Sequence, residues 1–133
     1  MSVRIVIADD HEIVRQGIRR ILETQAGWEI CAEAENGEAA VALADRLKPD
    51  AIIMDISMPL MSGLEATRQI SDLKANIRIL VFTMHETATL AESARKVGAR
   101  GILSKSDAAR HLVGALEVVL SGGTFFPKCD NWT

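Results

Sequence analysis

Five short apolar runs, separated by stretches with helical periodicity, constrain the fold of this chain more than any other feature. Each run is rich in valine, isoleucine or leucine and has the length of a β-strand. The runs are "VRIVIA" (3–8), "WEICAEA" (28–34), "DAIIMDI" (50–56), "IRILVFTM" (77–84) and "RGILSK" (100–105). A strand–helix unit repeated five times predicts an α/β fold, in which helices cover both faces of a parallel sheet.

The stretches between the strands carry apolar residues at the spacing of an amphipathic helix. The five stripes are Ile13, Val14, Gly17, Ile18, Ile21 and Leu22; Ala40, Leu43, Ala44 and Leu47; Ala66, Ile70 and Leu73; Leu90, Ala94 and Val97; and Ala108, Leu112, Ala115, Leu116 and Val119. Asn36 is a suitable cap for the second helix. Ser62 with Glu65 predicts a capping box at the start of the third.

The polarity of the strands predicts their order in the sheet. The runs 50–56 and 77–84 are apolar almost throughout, as central strands are. The run 28–34 alternates instead, which predicts an edge strand with one wetter face. We expect Trp28, Ile30, Ala32 and Ala34 on one face, and Glu29, Cys31, Glu33 and Glu35 on the other. An edge position for the second strand fits the flavodoxin-like, doubly wound order 2-1-3-4-5.

The chain of 133 residues has the length of one domain. We expect residues 1–121 to form it, and residues 122–133, which begin with a helix-ending glycine pair, to be a linker stub or tail. The formal net charge of −3 does not indicate a general binder of nucleic acid or membranes. No apolar run has the length of a membrane span, and Cys31 and Cys129 make no disulfide framework. We therefore expect a cytoplasmic protein.

Polar residues with complementary chemistry stand at the ends of the predicted strands. The pair Asp9 and Asp10 follows the first strand, Asp55 ends the third, Thr83 the fourth and Lys105 the fifth. Because these ends share one edge of the sheet, the three aspartates should converge there. Converging carboxylates need a cation, and a set of oxygen ligands favours Mg²⁺. An aspartate beside such an ion can attack phosphorus, and a lysine and a threonine can donate to the new phosphoryl oxygens.

Each of these residues also has an ordinary structural interpretation. An acidic pair after a strand often caps a helix, with one member solvated. Asp55 can cap the turn before Pro59, Thr83 can be a plain strand residue, and Lys105 can face solvent. Their joint placement at one edge of the predicted sheet favours the functional interpretation. For His11 we expect only a place in the first turn of a helix.

Several motifs together resemble the receiver domain of two-component response regulators, over residues 2–121. They are "ADD" after the first strand, "MDISMPLMSG" around the third, "FTM" after the fourth and "SK" after the fifth. The stretch "ADDHEIVRQGIRRIL" is similar to the NarL/FixJ (LuxR-type) subfamily in particular. The resemblance implies a CheY-like version of the predicted fold.

The resemblance also implies roles for individual residues. Asp55 would accept a phosphoryl group from a histidine kinase, in a reaction that needs Mg²⁺. Asp10 and Asp55 would bind the ion directly, Asp9 would hold a metal-bound water, and the backbone carbonyl of Ser57 would complete the set. Lys105 would pair with the acidic cluster and then with the phosphoryl group. Thr83 would turn inward after phosphorylation.

The implied function is a signalling module that catalyses its own phosphorylation and dephosphorylation and transforms no external metabolite. The resemblance implies control of transcription through a C-terminal helix-turn-helix DNA-binding domain that this sequence does not contain. We also expect homodimerisation on phosphorylation, because Thr83 and Lys105 would move towards the phosphoryl group. Two alternatives fit less well. An aspartate-nucleophile phosphatase commonly carries a second aspartate where Ser57 stands, and a flavin- or partner-binding module leaves the acidic pair and Lys105 unexplained.

Three positions depart from the family's pattern. Ile102 stands where many receivers have an aromatic residue that moves with the threonine, so we expect signalling without an aromatic switch. Ser106 stands where a proline is common, and Met84 where a small residue is common. We expect Met84 to narrow access to the site.

Overall fold

A computed structural model of the chain describes residues 2–126. It confirms an α/β fold with a five-stranded parallel sheet in the order β2-β1-β3-β4-β5. In chain order the elements are β1 (Val3–Ala8), α1 (Glu12–Leu22), β2 (Trp28–Ala34), α2 (Gly37–Leu47), β3 (Ala51–Asp55), α3 (Gly63–Asp72), β4 (Arg78–Thr83), α4 (Ala88–Lys96), β5 (Gly101–Ser104), a 3-10 helix (Lys105–Asp107) and α5 (Ala108–Leu120).

The strands β3, β4 and β5 each end one residue earlier than the sequence predicts, and at β3 and β5 a turn begins at the carboxyl end. The carbonyl of Ile56 accepts the N–H of Gly63 at 2.9 Å, so β3 ends at Asp55. The hydroxyl of Ser104 accepts the N–H of Ser106 at 3.3 Å, and Lys105 opens the 3-10 helix instead of ending β5. Both Asp55 and Lys105 therefore lie where the chain leaves the sheet.

The sheet separates two buried apolar clusters. One lies under α1 and α5 and includes Ile18, Leu116 and, from the sheet, Ile53. The other lies under α2, α3 and α4 and includes Ile70 and, from the sheet, Ile52. Every residue of β3 is buried, as predicted for a central strand, because helices cover both of its faces.

The edge strand β2 departs from the predicted alternation. Its pairing with β1 steps from Ile30 to Ala32, so Cys31 is an extra residue in a bulge. Trp28 and Ile30 consequently pack in the cluster under α1 and α5, whereas Ala32 and Ala34 pack in the other. The prediction that all four share a face is wrong, since one inserted residue reverses the facing of the residues that follow.

The helix N-caps agree in part with those that the sequence predicts. Asn36 caps α2 by accepting the N–H of Ala39 at 2.8 Å. Ser62 accepts the N–H of Glu65 at 3.2 Å, but the carboxylate of Glu65 binds Arg68 and Gln69, its neighbours on α3. Only one arm of the predicted capping box is therefore formed.

The chain after α5 returns to the sheet. Phe125 donates its N–H to the carbonyl of Arg100 at 2.9 Å, and its own carbonyl accepts the N–H of Ile102 at 3.0 Å. The Phe126 ring lies 4.3 Å from the guanidinium carbon of Arg95 on α4. The described part of the predicted tail thus covers the free edge of β5, while residues 127–133, including Cys129, lie outside the described residues. Within residues 2–126, every helix is too short or too polar to cross a membrane.

Candidate functional site

Three carboxylates meet at the carboxyl edge of the sheet. Asp9 and Asp10 follow β1, and Asp55 ends the adjacent strand β3. One ligand atom from each of them, together with one from His11, lies within 4.8 Å of the others. Asp9 and Asp55 are 1% and 4% exposed, so two of the three acids are buried. The structure therefore brings together the aspartates that the strand ends predict.

Lys105 forms ion pairs with both buried acids. Its Nζ lies 2.9 Å from Oδ2 of Asp9 and 3.1 Å from Oδ1 of Asp55. Its side chain is 13% exposed, which excludes the interpretation of Lys105 as a solvent-facing charge. The contact with Asp9 is ionic rather than a well-aligned hydrogen bond, because Oδ2 of Asp9 has no partner in hydrogen-bonding geometry among the described residues. That buried oxygen retains the capacity to bind a further cation or a water.

The pKa values in the cluster show how burial and charge compete. Burial raises the pKa of Asp55, the nearby charge of Asp9 adds to this, and Lys105 opposes it. Burial alone would lower the pKa of Lys105, but its contacts with Asp9 and Asp55 together raise it. The ammonium is therefore firmly charged and compensates only part of the negative charge of three carboxylates.

His11 contributes to the site, which the sequence analysis did not predict. It is the N-cap residue of α1 rather than a first-turn residue, and its N–H donates to Oδ1 of Asp9 at 2.8 Å. Its ring Nδ1 lies 3.0 Å from Oδ1 of Asp10. Asp9 thus stabilises the turn before α1 instead of capping the helix itself. The adjacency of His11 to the acidic pair was the available sequence signal.

Thr83 is the last residue of β4 and Ser57 follows β3, so both stand at the carboxyl edge of the sheet. Thr83 is 7% exposed, and its hydroxyl lies 3.4 Å from both the carbonyl oxygen and the nitrogen of His85 in the following loop. Ser57 lines a cavity of about 330 Å³ that Asp55, Lys105, His11 and Val14 also line. Met84 lines the same cavity and is 66% exposed, and its narrowing of access stays a prediction.

Arg15 is a second residue of the site that the sequence analysis missed. It is only 7% exposed and donates from Nη1 to the backbone carbonyl of Asp9 at 2.6 Å. Its Nε donates to Oε1 of Glu33 at 2.7 Å. Hydrogen bonds from Arg19 and Arg15 lower the pKa of Glu33. The spacing with Ile18 and Leu22, which share the buried face of α1, could have revealed Arg15 as a buried cation.

The fold and the residues at the carboxyl edge of the sheet define a class of protein. It is a flavodoxin-like α/β module with buried carboxylates and a lysine at the topological switch point. The family model described as "Response regulator receiver domain" matches residues 5–117. The chain belongs to the response regulator receiver family, and its relatives support the NarL/FixJ (LuxR-type) subfamily.

Three similar proteins illustrate this relationship. The transcriptional regulatory protein DegU of Brevibacillus brevis is 39% identical over 131 residues, which is 98% of this chain and 56% of DegU. The response regulator UvrY of Escherichia coli (strain K12) is 42% identical over 120 residues, 90% of this chain and 55% of UvrY. A two-component response regulator of the LuxR family from Aurantimonas sp. SI85-9A1 has a crystal structure with a TM-score of 0.90 at 38% identity, covering 98% of this chain and 92% of that one.

The chain spans a little over half the length of DegU and UvrY. The family match identifies the chain as a signalling receiver domain, and relatives such as DegU are transcriptional regulatory proteins. Receiver domains bind Mg²⁺ at an acidic pocket, and the donor set of this chain fits such an ion. Three carboxylates supply hard oxygen ligands, and Oδ2 of Asp9, although it pairs with Lys105, has no hydrogen-bond partner among the described residues.

Proposed function

We propose that Asp55 accepts a phosphoryl group from a histidine kinase, and that this phosphorylation switches the domain between output states. The observation that carries the proposal is the position of the Asp55 carboxylate, buried at the end of a central strand and 3.1 Å from Lys105. Lys105 favours the ionised, nucleophilic form of Asp55 against burial and the neighbouring acids, and the same ammonium is a donor for the phosphoryl oxygens.

The metal ligands in this proposal are the carboxylates of Asp10 and Asp55 and the backbone carbonyl of Ser57, with Asp9 holding a metal-bound water. Bound Mg²⁺ supplies positive charge that polarises the phosphoryl oxygens and offsets the repulsion between the acids. The convergence of the carboxylates and the place of Ser57 on the same cavity support this set.

In the transfer step, a carboxylate oxygen of Asp55 attacks phosphorus and forms a new O–P bond. The P–N bond of the kinase's phosphohistidine breaks, and its electron pair returns to the imidazole nitrogen. The product on Asp55 is an acyl phosphate. Lys105 exchanges its carboxylate partner for a phosphoryl oxygen, and the hydroxyl of Thr83 donates to another. Attack by water on phosphorus then releases inorganic phosphate and restores the carboxylate, so the domain catalyses both its phosphorylation and its dephosphorylation.

The output in this proposal is transcription, controlled through a C-terminal helix-turn-helix DNA-binding domain and through homodimerisation on phosphorylation. DegU is a transcriptional regulatory protein, and this chain matches 56% of its length. The docking of Phe125 on β5 gives the chain beyond α5 a direct contact with the sheet. The domain boundary at residue 121 and the cytoplasmic location stay predictions.

Phosphopeptide mapping tests the proposed acceptor. The chain is incubated with acetyl phosphate and MgCl₂, trapped with borohydride and digested. We expect label on Asp55 alone and none in an Asp55→Asn variant. Asp45→Asn, at an exposed acid of α2, serves as the matched control and should label like the wild type. Label on another residue, or undiminished label in Asp55→Asn, would refute the assignment.

A further inference from the structure

Arg15 is a buried cation that donates to the backbone carbonyl of Asp9 as well as to the carboxylate of Glu33. We infer that Arg15 is a positioning residue for the metal-binding aspartates, because it holds the peptide group that joins Asp9 to Asp10. The inference deepens the proposed function and rests on it. It concerns the affinity of the site for Mg²⁺ and not the phosphoryl transfer itself.

The backbone of Asp9 is held on both sides. Its N–H donates to the carbonyl of Ala34, the last residue of β2, at 3.0 Å. Its carbonyl accepts from Nη1 of Arg15 at 2.6 Å. Because a peptide group is planar, fixing the carbonyl oxygen of Asp9 also fixes the nitrogen and Cα of Asp10. Arg15 therefore fixes the backbone position from which the side chain of Asp10 extends.

The guanidinium of Arg15 is itself oriented by β2. Its Nε donates to Oε1 of Glu33 at 2.7 Å, and its Nη2 lies 3.6 Å from the more exposed Glu35. A planar guanidinium that binds a carboxylate at one edge presents its remaining N–H groups in a fixed direction. Here that direction leads to the carbonyl of Asp9. The bulge at Cys31 contributes to this orientation. Because of it, Glu33 faces the side of the sheet opposite to the one it would face in a regular strand.

An alternative role for Arg15 is that of a simple ion pair between α1 and β2. Arg19 makes such a pair, since it lies on the same helix and its Nε donates to Oε2 of Glu33 at 3.1 Å. Arg19 is the natural matched control. Within residues 2–126 its side chain donates hydrogen bonds to Glu33 and forms ion pairs with Glu33 and Glu23, and it makes neither kind of contact with Asp9 or Asp10.

A third possibility is that Arg15 acts through its charge. It predicts a change in the dissociation constant for Mg²⁺ in the opposite direction. A positive charge beside the site repels a divalent cation, so neutralising it would tighten Mg²⁺ binding. If Arg15 acts by holding the peptide, neutralising it loosens the site and weakens binding. The direction of the change in the dissociation constant therefore separates positioning from electrostatics.

Isothermal titration with MgCl₂ tests the inference on the full chain. We expect Arg15→Gln to raise the dissociation constant for Mg²⁺ about 10-fold, the effect typical of a residue that orients a metal ligand. Arg19→Gln should stay within about twofold of the wild type, although both variants lose a bond to Glu33. At saturating Mg²⁺, Arg19→Gln should take up label on Asp55 from acetyl phosphate as the wild type does.

Equal dissociation constants for the two variants, or tighter binding in Arg15→Gln, would overturn the inference while leaving the proposed function intact. A wild type that binds no Mg²⁺ and takes up no label would overturn both. If Arg15→Gln does not fold, Arg15→Lys provides the measurement, because an ammonium cannot reproduce the fork between Glu33 and the carbonyl. We expect it to raise the dissociation constant about threefold, and a value equal to that of the wild type would overturn the inference.

Discussion

The ammonium of Lys105 lies 3.1 Å from Oδ1 of Asp55, and this ion pair links the carboxyl ends of β5 and β3 across the intervening strand β4. The same ammonium contacts Asp9 at 2.9 Å. One lysine thus partly offsets the repulsion among acids that occupy neighbouring strand ends. Any cation or phosphoryl group that enters the site must compete with this pair or replace it.

Neutralising Asp55 should stabilise the metal-free domain. The pKa of Asp55 is raised by burial and then by the charge of Asp9, so folding disfavours its ionised form. A raised carboxyl pKa gives stability that is present below the unfolded-state pKa and lost as the pH rises through the folded-state pKa. At pH 7 the ionised group therefore lowers the free energy of unfolding. Lys105 keeps Asp9 as a partner when Asp55 becomes asparagine.

We accordingly expect Asp55→Asn, in EDTA at pH 7, to melt roughly 3–5 °C above the wild type, the shift that about 1 kcal/mol gives in a domain of this size. The difference should shrink as the pH is lowered from 7 into the acidic range, because protonation of Asp55 in the wild type removes the charge that burial disfavours. Thermal unfolding followed by circular dichroism across this pH range measures both effects. A variant less stable than the wild type at pH 7 would contradict the argument.

Mg²⁺ should raise the melting temperature of the wild type through Asp10. An ion that binds only the folded state stabilises it by about 2.7 kcal/mol at a hundredfold excess over its dissociation constant. Relief of carboxylate repulsion among Asp9, Asp10 and Asp55 contributes to the affinity that sets this dissociation constant. Asp10→Asn should lose most of the response, whereas Asp45→Asn should keep it. Melting curves with and without MgCl₂ decide the point, and an undiminished response in Asp10→Asn would argue against Asp10 as a ligand.

The convergence of the site residues could be predicted because it depends on topology. Once strand order follows from the polarity of the runs, the residues that end adjacent strands must share an edge. Asp9, Asp55 and Lys105 meet for this reason, and local sequence was sufficient to place each of them.

The features that sequence missed depend on partners distant along the chain. The bulge at Cys31 arises from the register of β2 against β1, which the alternation within β2 does not encode. The role of Arg15 depends on a backbone carbonyl, which every residue type supplies. Phe125 pairs with β5 because that edge is free, and nothing periodic in residues 121–126 indicates a strand.

The docking of Phe125 can be tested at Gly101. A Cβ at this position would lie 2.9 Å from Cδ1 of Leu80 and 3.0 Å from the carbonyl oxygen of Phe125. Because Leu80 is buried in the core, the chain after α5 should be displaced in Gly101→Ala. The amide of Ile102, which donates to Phe125, should then exchange hydrogen at least tenfold faster relative to the amides of β1.

Gly114→Ala is the control for this exchange experiment. Gly114 lies in α5, and a Cβ there would meet nothing within 4 Å. Alanine in a helix interior is favoured over glycine by about 1 kcal/mol, so this variant should be slightly stabilised with Ile102 still protected. Unchanged protection of Ile102 in Gly101→Ala would show that the segment at Phe125 does not depend on this contact.

Phosphorylation should promote self-association through a helical face near β5, without an aromatic switch. Thr83 and Lys105 would move towards the phosphoryl oxygens, because charge-assisted hydrogen bonds to an anion are strong. Thr83 now contacts the backbone of His85, so its movement would reposition the loop that leads into α4. Ile102 is fully buried and has no ring to swing, so the coupling must pass through this loop and Met84.

Even a coupling of about 1–3 kcal/mol shifts a dimer equilibrium roughly 5- to 150-fold. Beryllofluoride stands in for the phosphoryl group on Asp55, so sedimentation of the domain with MgCl₂, with and without beryllofluoride, measures the shift. We expect a larger dimer fraction with beryllofluoride and no such change in Asp55→Asn. Replacing Thr83 by alanine should reduce the effect, because the loop is then no longer drawn towards the site. Identical mass distributions over a wide concentration range would instead place the output in contacts with another domain or protein.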